Sequence, residues 1–193
     1  MNPIQKEENS AQRSVCVFCA SSSGTDPIFL EAARALGLAI AERGWHLVYG
    51  GADVGLMGAM ANAALAAGGM ITGVIPRALF TQEIAHRGLT QLVEVNSMHE
   101  RKAEMERRSD AFLVLPGGLG TLDELCEILT WAALGIHDKP IVLINIAGYW
   151  DLFFGILDAA VTAGFLRTTH RNLPLIARDA EDACRRIEIT RKR

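Results

Sequence analysis

The sequence contains no apolar run near the ~20 residues that a membrane-spanning helix needs. Its N-terminus, MNPIQKEENSAQRS, lacks the apolar core of a signal peptide. Residues 1–13 are therefore expected to form a loose tail ahead of a single domain over 14–193, a length that suits one core. There is no excess of positive charge: the formal net charge of the 193 residues is −3, with 21% charged. That balance gives no electrostatic footing for non-specific nucleic-acid binding. No glycine turn continues into Gly-Lys-Ser/Thr, which excludes a Walker phosphate loop. Internal repeats and low-complexity segments are also absent. Cysteine is scarce: four residues, scattered, with Cys16 and Cys19 spaced as CxxC inside an apolar run. Residues three apart in a strand point to opposite faces, so this pair suits buried core thiols in a reducing cytoplasm better than a redox or zinc site. His46, His99, His137 and His170 have no partners at metal spacing and are read as structural or surface residues. No metal and no cofactor is expected.

Against these absences stands the stretch 111–131, AFLVLPGGLGTLDELCEILTW. Five apolar residues, Ala111 to Leu115, have the length and type of a buried parallel strand. Pro116-Gly117-Gly118-Leu119-Gly120-Thr121 then makes a tight turn in which glycine lets backbone approach a ligand closely. Beyond it Leu122, Leu125, Ile128 and Leu129 recur at helical spacing. A strand feeding a glycine turn that opens a helix presents N–H groups and the positive helix end to a ligand, which makes it a phosphate seat. The dinucleotide fingerprint read from Gly118 fails, because its third glycine would fall at Asp123. A plain capping box, with Thr121 as N-cap and Glu124 reaching back, is the competing explanation of the same residues.

The remainder of the chain alternates strand and helix. Ser14–Ala20 reads as the first strand, and Asp26-Pro27 opens a helix that Gly44 ends. Trp45–Tyr49 runs into a second glycine turn, Gly50 to Gly55, and an alanine-rich helix follows to about Gly68. Met70–Ile75 and Gln91–Val95 are the next strands, with an irregular segment around Glu83 between them. Ser97-x-x-Glu100 is a capping box that opens a helix to about Ser109. Pro140–Ile146 is a sixth strand, Trp150–Ala163 a helix, Leu173–Ala177 a last strand and Ala180–Ile187 a closing helix. This rhythm predicts an α/β fold, a doubly wound parallel sheet with helices on both faces. Ligands gather at the carboxyl ends of such strands, near the reversal of strand order. The polar or glycine-rich loops after strands one, two, four and five are expected to build the site.

In the helix MHERKAEM, Arg101 follows Met98 by three residues and precedes Met105 by four, so it shares their face. A charge on an apolar stripe is costly without a partner. Either the guanidinium snorkels to water, or it is aimed into the cleft with Lys102 beside it for an anionic group. Because this helix starts at the same sheet edge as the glycine turn, Arg101 and Glu124 are expected to face one ligand.

MHERKAEM at 98–105 and PGGLGTLDE at 116–124, with YGGADVGLMG at 49–58 and TWAALGIHDKP at 130–140, resemble the LONELY GUY family of cytokinin-activating phosphoribohydrolases. Members of that family are often mislabelled lysine decarboxylases. The resemblance runs from about Val15 to Ala177 and implies a Rossmann-like fold, a homodimer and a nucleoside 5′-monophosphate substrate. The implied reaction is hydrolysis of the N-glycosidic bond of a cytokinin riboside 5′-monophosphate to an N6-substituted adenine and ribose 5-phosphate. Arg101 and Glu124 match the family's catalytic pair. Glu83, Arg101, Lys102, the run Gly118-Leu119-Gly120-Thr121-Leu122-Asp123-Glu124, and Thr130 match its substrate-binding positions. The family usually carries Tyr at the position of Leu119 and Glu at that of Asp123, differences that bear on the nucleobase edge of the pocket rather than on the reaction. Judged from their neighbours alone, Glu83 is an ordinary loop charge and Thr130 a helix-packing residue.

Three other readings compete. A broader purine-nucleotide nucleosidase acting on AMP would use the same site. A non-catalytic nucleotide sensor would gain little from a buried acid beside an anionic ligand. A pyridoxal-phosphate decarboxylase needs a Schiff-base lysine, and Lys102, the one candidate, sits where an anion-binding charge is wanted.

Overall fold

A computed structural model of the chain describes residues 12–80 and 85–190. Seven strands form one parallel sheet: β1 Ser14–Phe18, β2 His46–Tyr49, β3 Ile71–Pro76, β4 Gln91–Val95, β5 Ala111–Val114, β6 Ile141–Ile144 and β7 Pro174–Ala177. Between and after them run α1 Pro27–Glu42, α2 Gly55–Ala66, α3 Met98–Arg107, α4 Leu119–Ala133, α5 Asp151–Thr162, the short α6 Thr168–Arg171 and α7 Ala180–Thr190. The sheet order is β4-β3-β2-β1-β5-β6-β7. The chain therefore winds outward from β1 to β4, returns to the middle, and winds the other way from β5 to β7. The crevice between the carboxyl ends of β1 and β5 is the switch point, where side-by-side loops diverge and leave room for a ligand. The pairing Phe18↔Val114 at the ends of these strands fixes the two loops next to each other.

Each strand divides its side chains between two cores, as period-two alternation requires. On and just after β1, Val15, Val17 and Cys19 join a cluster with α1, α2 and α7, whereas Cys16 and Phe18 join Met105, Leu125, Ile128, Trp150 and Phe154 on the opposite face. The CxxC sulfurs thus belong to different layers, and both thiols are free and buried. Cys126, outside that pair, is exposed on α4.

Local signals placed most boundaries. The Asp26 carboxylate accepts from the Ile28 N–H at 3.0 Å with Pro27 as first helical residue, and Gly44 leaves α1 in the left-handed region at φ 64. Ser97 Oγ accepts from the Glu100 N–H at 3.1 Å, but Glu100 reaches back to the N–H of Asn96 at 2.7 Å, one residue before the cap. Two expectations shift. The sixth strand stops at Ile144 because the Asn145 side chain turns the chain, accepting from the Trp150 N–H at 2.8 Å and donating to Asp151 at 2.7 Å. Gln12 and Arg13, expected in a loose tail, are engaged: Gln12 donates to the Gly44 carbonyl, and the Arg13 guanidinium lies 4.9 Å from the Trp45 ring centre. Among the described residues no helix is long and apolar enough to cross a membrane.

The alanine-rich α2 is covered by α1, so its apolar surplus is spent within the chain. A Cβ added at Gly37 would stand 2.1 Å from the Met60 carbonyl oxygen. Helix propensity alone favours Ala over Gly by about 0.5–1 kcal/mol, but here the close crossing decides the sign. Gly37→Ala is expected to destabilise the protein by about 1–3 kcal/mol, read from denaturant midpoints. An unchanged or raised midpoint would mean that α1 and α2 do not cross this closely.

Candidate active site

The cavity at the switch point measures about 240 Å³ and is lined by the ends of β1 (Val17 to Ser22), Gly50 after β2, Met57 of α2, Arg101 and Met105 of α3, and Gly118, Leu119, Gly120, Thr121 and Glu124 of α4. Loops or helices following strands one, two, four and five all contribute, as expected. Pockets that bury a whole drug-sized ligand run to about 300–1,000 Å³, so this one encloses only part of a ligand of that size. Leu119 of its lining stands 86% exposed.

Arg101 is 5% exposed, which rules out the snorkelling arrangement. Its Nε donates to the Val74 carbonyl and its Nη2 to the Gly50 carbonyl, each at 3.1 Å, and Nη1 contacts the Met98 sulfur at 3.8 Å. The guanidinium is thus tied to β3 and to the residue after β2 while bordering the cavity. Glycine at 50 is required by this approach, since a Cβ there would lie 2.1 Å from Arg101 Nη2.

The α4 helix starts earlier than a Thr121 cap would allow. Gly118 is the N-cap with extended backbone (φ −88, ψ −153) and no capping side chain. The first intrahelical bond runs from the Leu122 N–H to the Gly118 carbonyl at 3.0 Å, which leaves the N–H groups of Leu119, Gly120 and Thr121 without intrahelical acceptors. Thr121 is buried instead of capping: its hydroxyl occupies the space beside Gly117, where a Cβ would lie 2.1 Å from Oγ1. Asp123 and Glu124 consequently fall in the second turn. Gly118 and Gly120 differ from Gly117, because an added Cβ at either would meet nothing within 4 Å. Neither has a positive φ. The fold itself does not demand a small residue there, whereas a ligand pressed against the helix end would.

Glu124 is 8% exposed. Its field and that of Arg101 both reach the cavity floor: burial pushes the Cys19 thiol pKa well up, the Glu124 carboxylate adds to that rise, and the Arg101 charge opposes it. The same three influences, in the same order, act on Cys16. A cation and an anion therefore converge on one water-poor site, where such charges act strongly.

Not every residue matched by the resemblance lines this cavity. Lys102 turns to α4, with Nζ 3.0 Å from Asp123 and 3.1 Å from Glu127. Burial lowers its pKa, but hydrogen bonds and charge from those two carboxylates outweigh it and leave the ammonium above its ordinary value. Leu122 is half-buried against the core under α4, and the exposed Thr130 bonds its hydroxyl to the Cys126 carbonyl at 2.7 Å. Glu83 lies outside the described residues. Cys19, Met57 and Met105, which line the cavity, carry no sequence signal beyond being apolar on elements that end there. His86 is buried, its Nε2 3.2 Å from Asn62 Oδ1 and its Nδ1 accepting from the Gly88 N–H, a tie between loops. Among the described residues no group of three His, Cys, Asp or Glu side chains is placed to hold a metal ion.

A seven-stranded parallel sheet with an open helix N-terminus, a guanidinium and a carboxylate at its switch point defines a Rossmann-like α/β protein. Solved structures agree on the fold. The molybdenum cofactor binding protein of Rippkaea orientalis superposes with a TM-score of 0.70 at 24% identity, covering 94% of this chain and 98% of that one. The molybdenum cofactor carrier protein of Chlamydomonas reinhardtii gives 0.70 at 22% identity over 94% and 99%. The family model described as "Possible lysine decarboxylase" matches residues 57–187. Among curated relatives, the probable cytokinin riboside 5′-monophosphate phosphoribohydrolase LOGL9 of Oryza sativa subsp. japonica is 48% identical over 91% of this chain and 78% of its own. The cytokinin riboside 5′-monophosphate phosphoribohydrolase LOG7 of Arabidopsis thaliana is 45% identical over 95% and 84%. The chain belongs to this LOG family.

Because the Arg101 guanidinium is the flexible end of a side chain, Gly50→Ala is expected to spare the fold and move that group. The melting temperature should stay within about 4 °C of wild type, while the Arg101 Nε–H resonance shifts. An unchanged resonance would place Arg101 away from Gly50.

Proposed function

We propose that this chain hydrolyses the N-glycosidic bond of cytokinin riboside 5′-monophosphates, releasing the N6-substituted adenine and ribose 5-phosphate. The observation that carries the reading is the convergence of Arg101 and Glu124 on one cavity roofed by the open end of α4. Relatives at 43–48% identity bear the name of this activity. The 5′-phosphate sits against Gly118, Gly120 and Thr121, whose N–H groups and helix-end charge receive an anion without a metal. The base departs as positive charge builds on the ribose ring. The Glu124 carboxylate stabilises that charge and orients the attacking water. Water oxygen bonds to the anomeric carbon, the carbon–nitrogen bond breaks, and the departing base takes up a proton. Arg101 holds the nucleotide in register and assists departure of the base. Lys102, tied to Asp123 and Glu127, fixes α3 against α4 and so sets Arg101 opposite Glu124.

Two alternatives lose ground on particular residues. A decarboxylase would need a neutral amine for its Schiff base, yet Lys102 and Lys139, the lysines among the described residues, are both ion-paired, Lys139 with Glu106. A passive sensor would bear the cost of burying Glu124 beside an anionic ligand with no return. Glu124→Gln is expected to lower turnover by about 10²–10⁴-fold while nucleotide binding, followed by calorimetry, is largely retained. Full activity in that variant would remove Glu124 from the mechanism. Chromatography of released bases across isopentenyladenosine monophosphate, AMP, the riboside and the triphosphate decides the substrate. Equal cleavage of AMP would favour the broader nucleosidase.

A homodimer forms part of the same proposal. The end of α4 and the turn after it leave Leu134 71% and Ile136 62% exposed beside Trp131, an apolar edge suited to a self-complementary contact. Light scattering at micromolar concentration should give twice the chain mass, and a monomer there would count against the contact.

A further inference from the structure

We infer that Tyr149 is a positioning residue for the phosphate seat, holding the Gly117 carbonyl so that the Gly118 N–H is turned into the cavity. The inference rests on the phosphoribohydrolase reading above. The Tyr149 hydroxyl donates to the Gly117 carbonyl oxygen at 2.5 Å. The peptide unit between Gly117 and Gly118 is planar and trans, so its carbonyl and its N–H point in opposite directions. A carbonyl held toward Tyr149 sends the Gly118 N–H away from it.

The recess on the Tyr149 side of this peptide adjoins the cavity, and Gly118, Ala20 and Ser22 border both. Gly117 borders that mostly apolar recess of about 190 Å³ with Tyr149, Phe29, Leu56 and Pro116, and is absent from the cavity lining. Gly118 lines that cavity together with Arg101 and Glu124. Between two glycines a peptide plane is free to rotate, because neither residue has a Cβ to restrict it. The α4 helix packs Thr121 beside Gly117 but gives this unit no intrahelical hydrogen bond, since it precedes the first helical residue. An external hydrogen bond is therefore what selects the orientation that a phosphate requires.

Tyr149 is 42% exposed, with its ring braced by two aromatic neighbours. Its ring meets Phe29 edge-on at 6.0 Å and Trp150 edge-on at 5.1 Å. The turn that delivers it, Ile146–Gly148, has Ala147 in the left-handed region at φ 50, followed by Gly148 at φ 73. A non-glycine residue kept in that region marks backbone whose course is set by its surroundings. Asn145 fastens the same turn through the Trp150 N–H.

The test is Tyr149→Phe, which keeps the ring and its neighbours and removes only the hydroxyl. The expected result is about a fivefold rise in KM for the nucleoside monophosphate and in the inhibition constant of ribose 5-phosphate. kcat should change less than KM, cleavage of the unphosphorylated riboside should keep its wild-type kcat/KM, and the melting temperature should stay within about 4 °C. Unchanged ribose 5-phosphate inhibition in the variant, with normal inhibition of the wild type, would overturn this inference alone. So would a uniform loss of activity on phosphorylated and unphosphorylated substrates together with lowered melting, the signature of a packing role. Failure of the wild-type protein to bind ribose 5-phosphate would overturn the phosphate seat itself and this inference with it.

Discussion

A guanidinium buried beneath the carboxyl edge of the sheet is the constraint to which the rest of this protein answers. An arginine 5% exposed to water is tolerable only where its N–H groups find acceptors. Here the acceptors are the carbonyls of Val74 within β3 and of Gly50 just after β2. The ladder between β2 and β3 stops at Tyr49 and Gly73, one residue before each of these carbonyls, so a charge takes up what that ladder leaves unsatisfied. The arrangement in turn dictates glycine at 50, and Lys102, the next residue on α3, ties that helix to α4.

The opposite wall of the cavity follows from a different kind of vacancy. The α4 helix begins without a capping side chain, and its open N–H groups lie where the chain reverses its winding. Thr121, which could have capped, is buried against Gly117. A capped helix end would be stable and inert; an uncapped one leaves polar groups for a ligand to satisfy. The anion seat and the Glu124 carboxylate one turn further on can then hold the two ends of a sugar phosphate, with Arg101 across from both.

Much of this was legible beforehand because the signals are local. Apolar runs bounded by glycine, the Asp26-Pro27 start and the Ser97 cap each fix backbone within a few residues, and the observed elements fall where those signals put them. The pairing of the Arg101 and Glu124 helices at one edge followed from strand–helix alternation. Other features were not legible. Thr121 in a capping role and Thr121 buried in α4 present the same letters, and only the neighbour across the turn chooses between them. Lys102 reads as an anion-binding charge until Asp123 and Glu127 are found within 3.0 and 3.1 Å of it.

What the sequence determined by itself is the alternating architecture and the chemical types gathered at one sheet edge, since hydrophobic period and turn chemistry act over short stretches of chain. The tertiary structure decided which of those groups share a cavity. Tyr149 touches Gly117 across 32 residues, and Arg101 meets Gly50 across 51. Such meetings depend on strand order and on the tilt of helices over the sheet, which arise from the packing of the whole core and leave no local trace in the residues that meet.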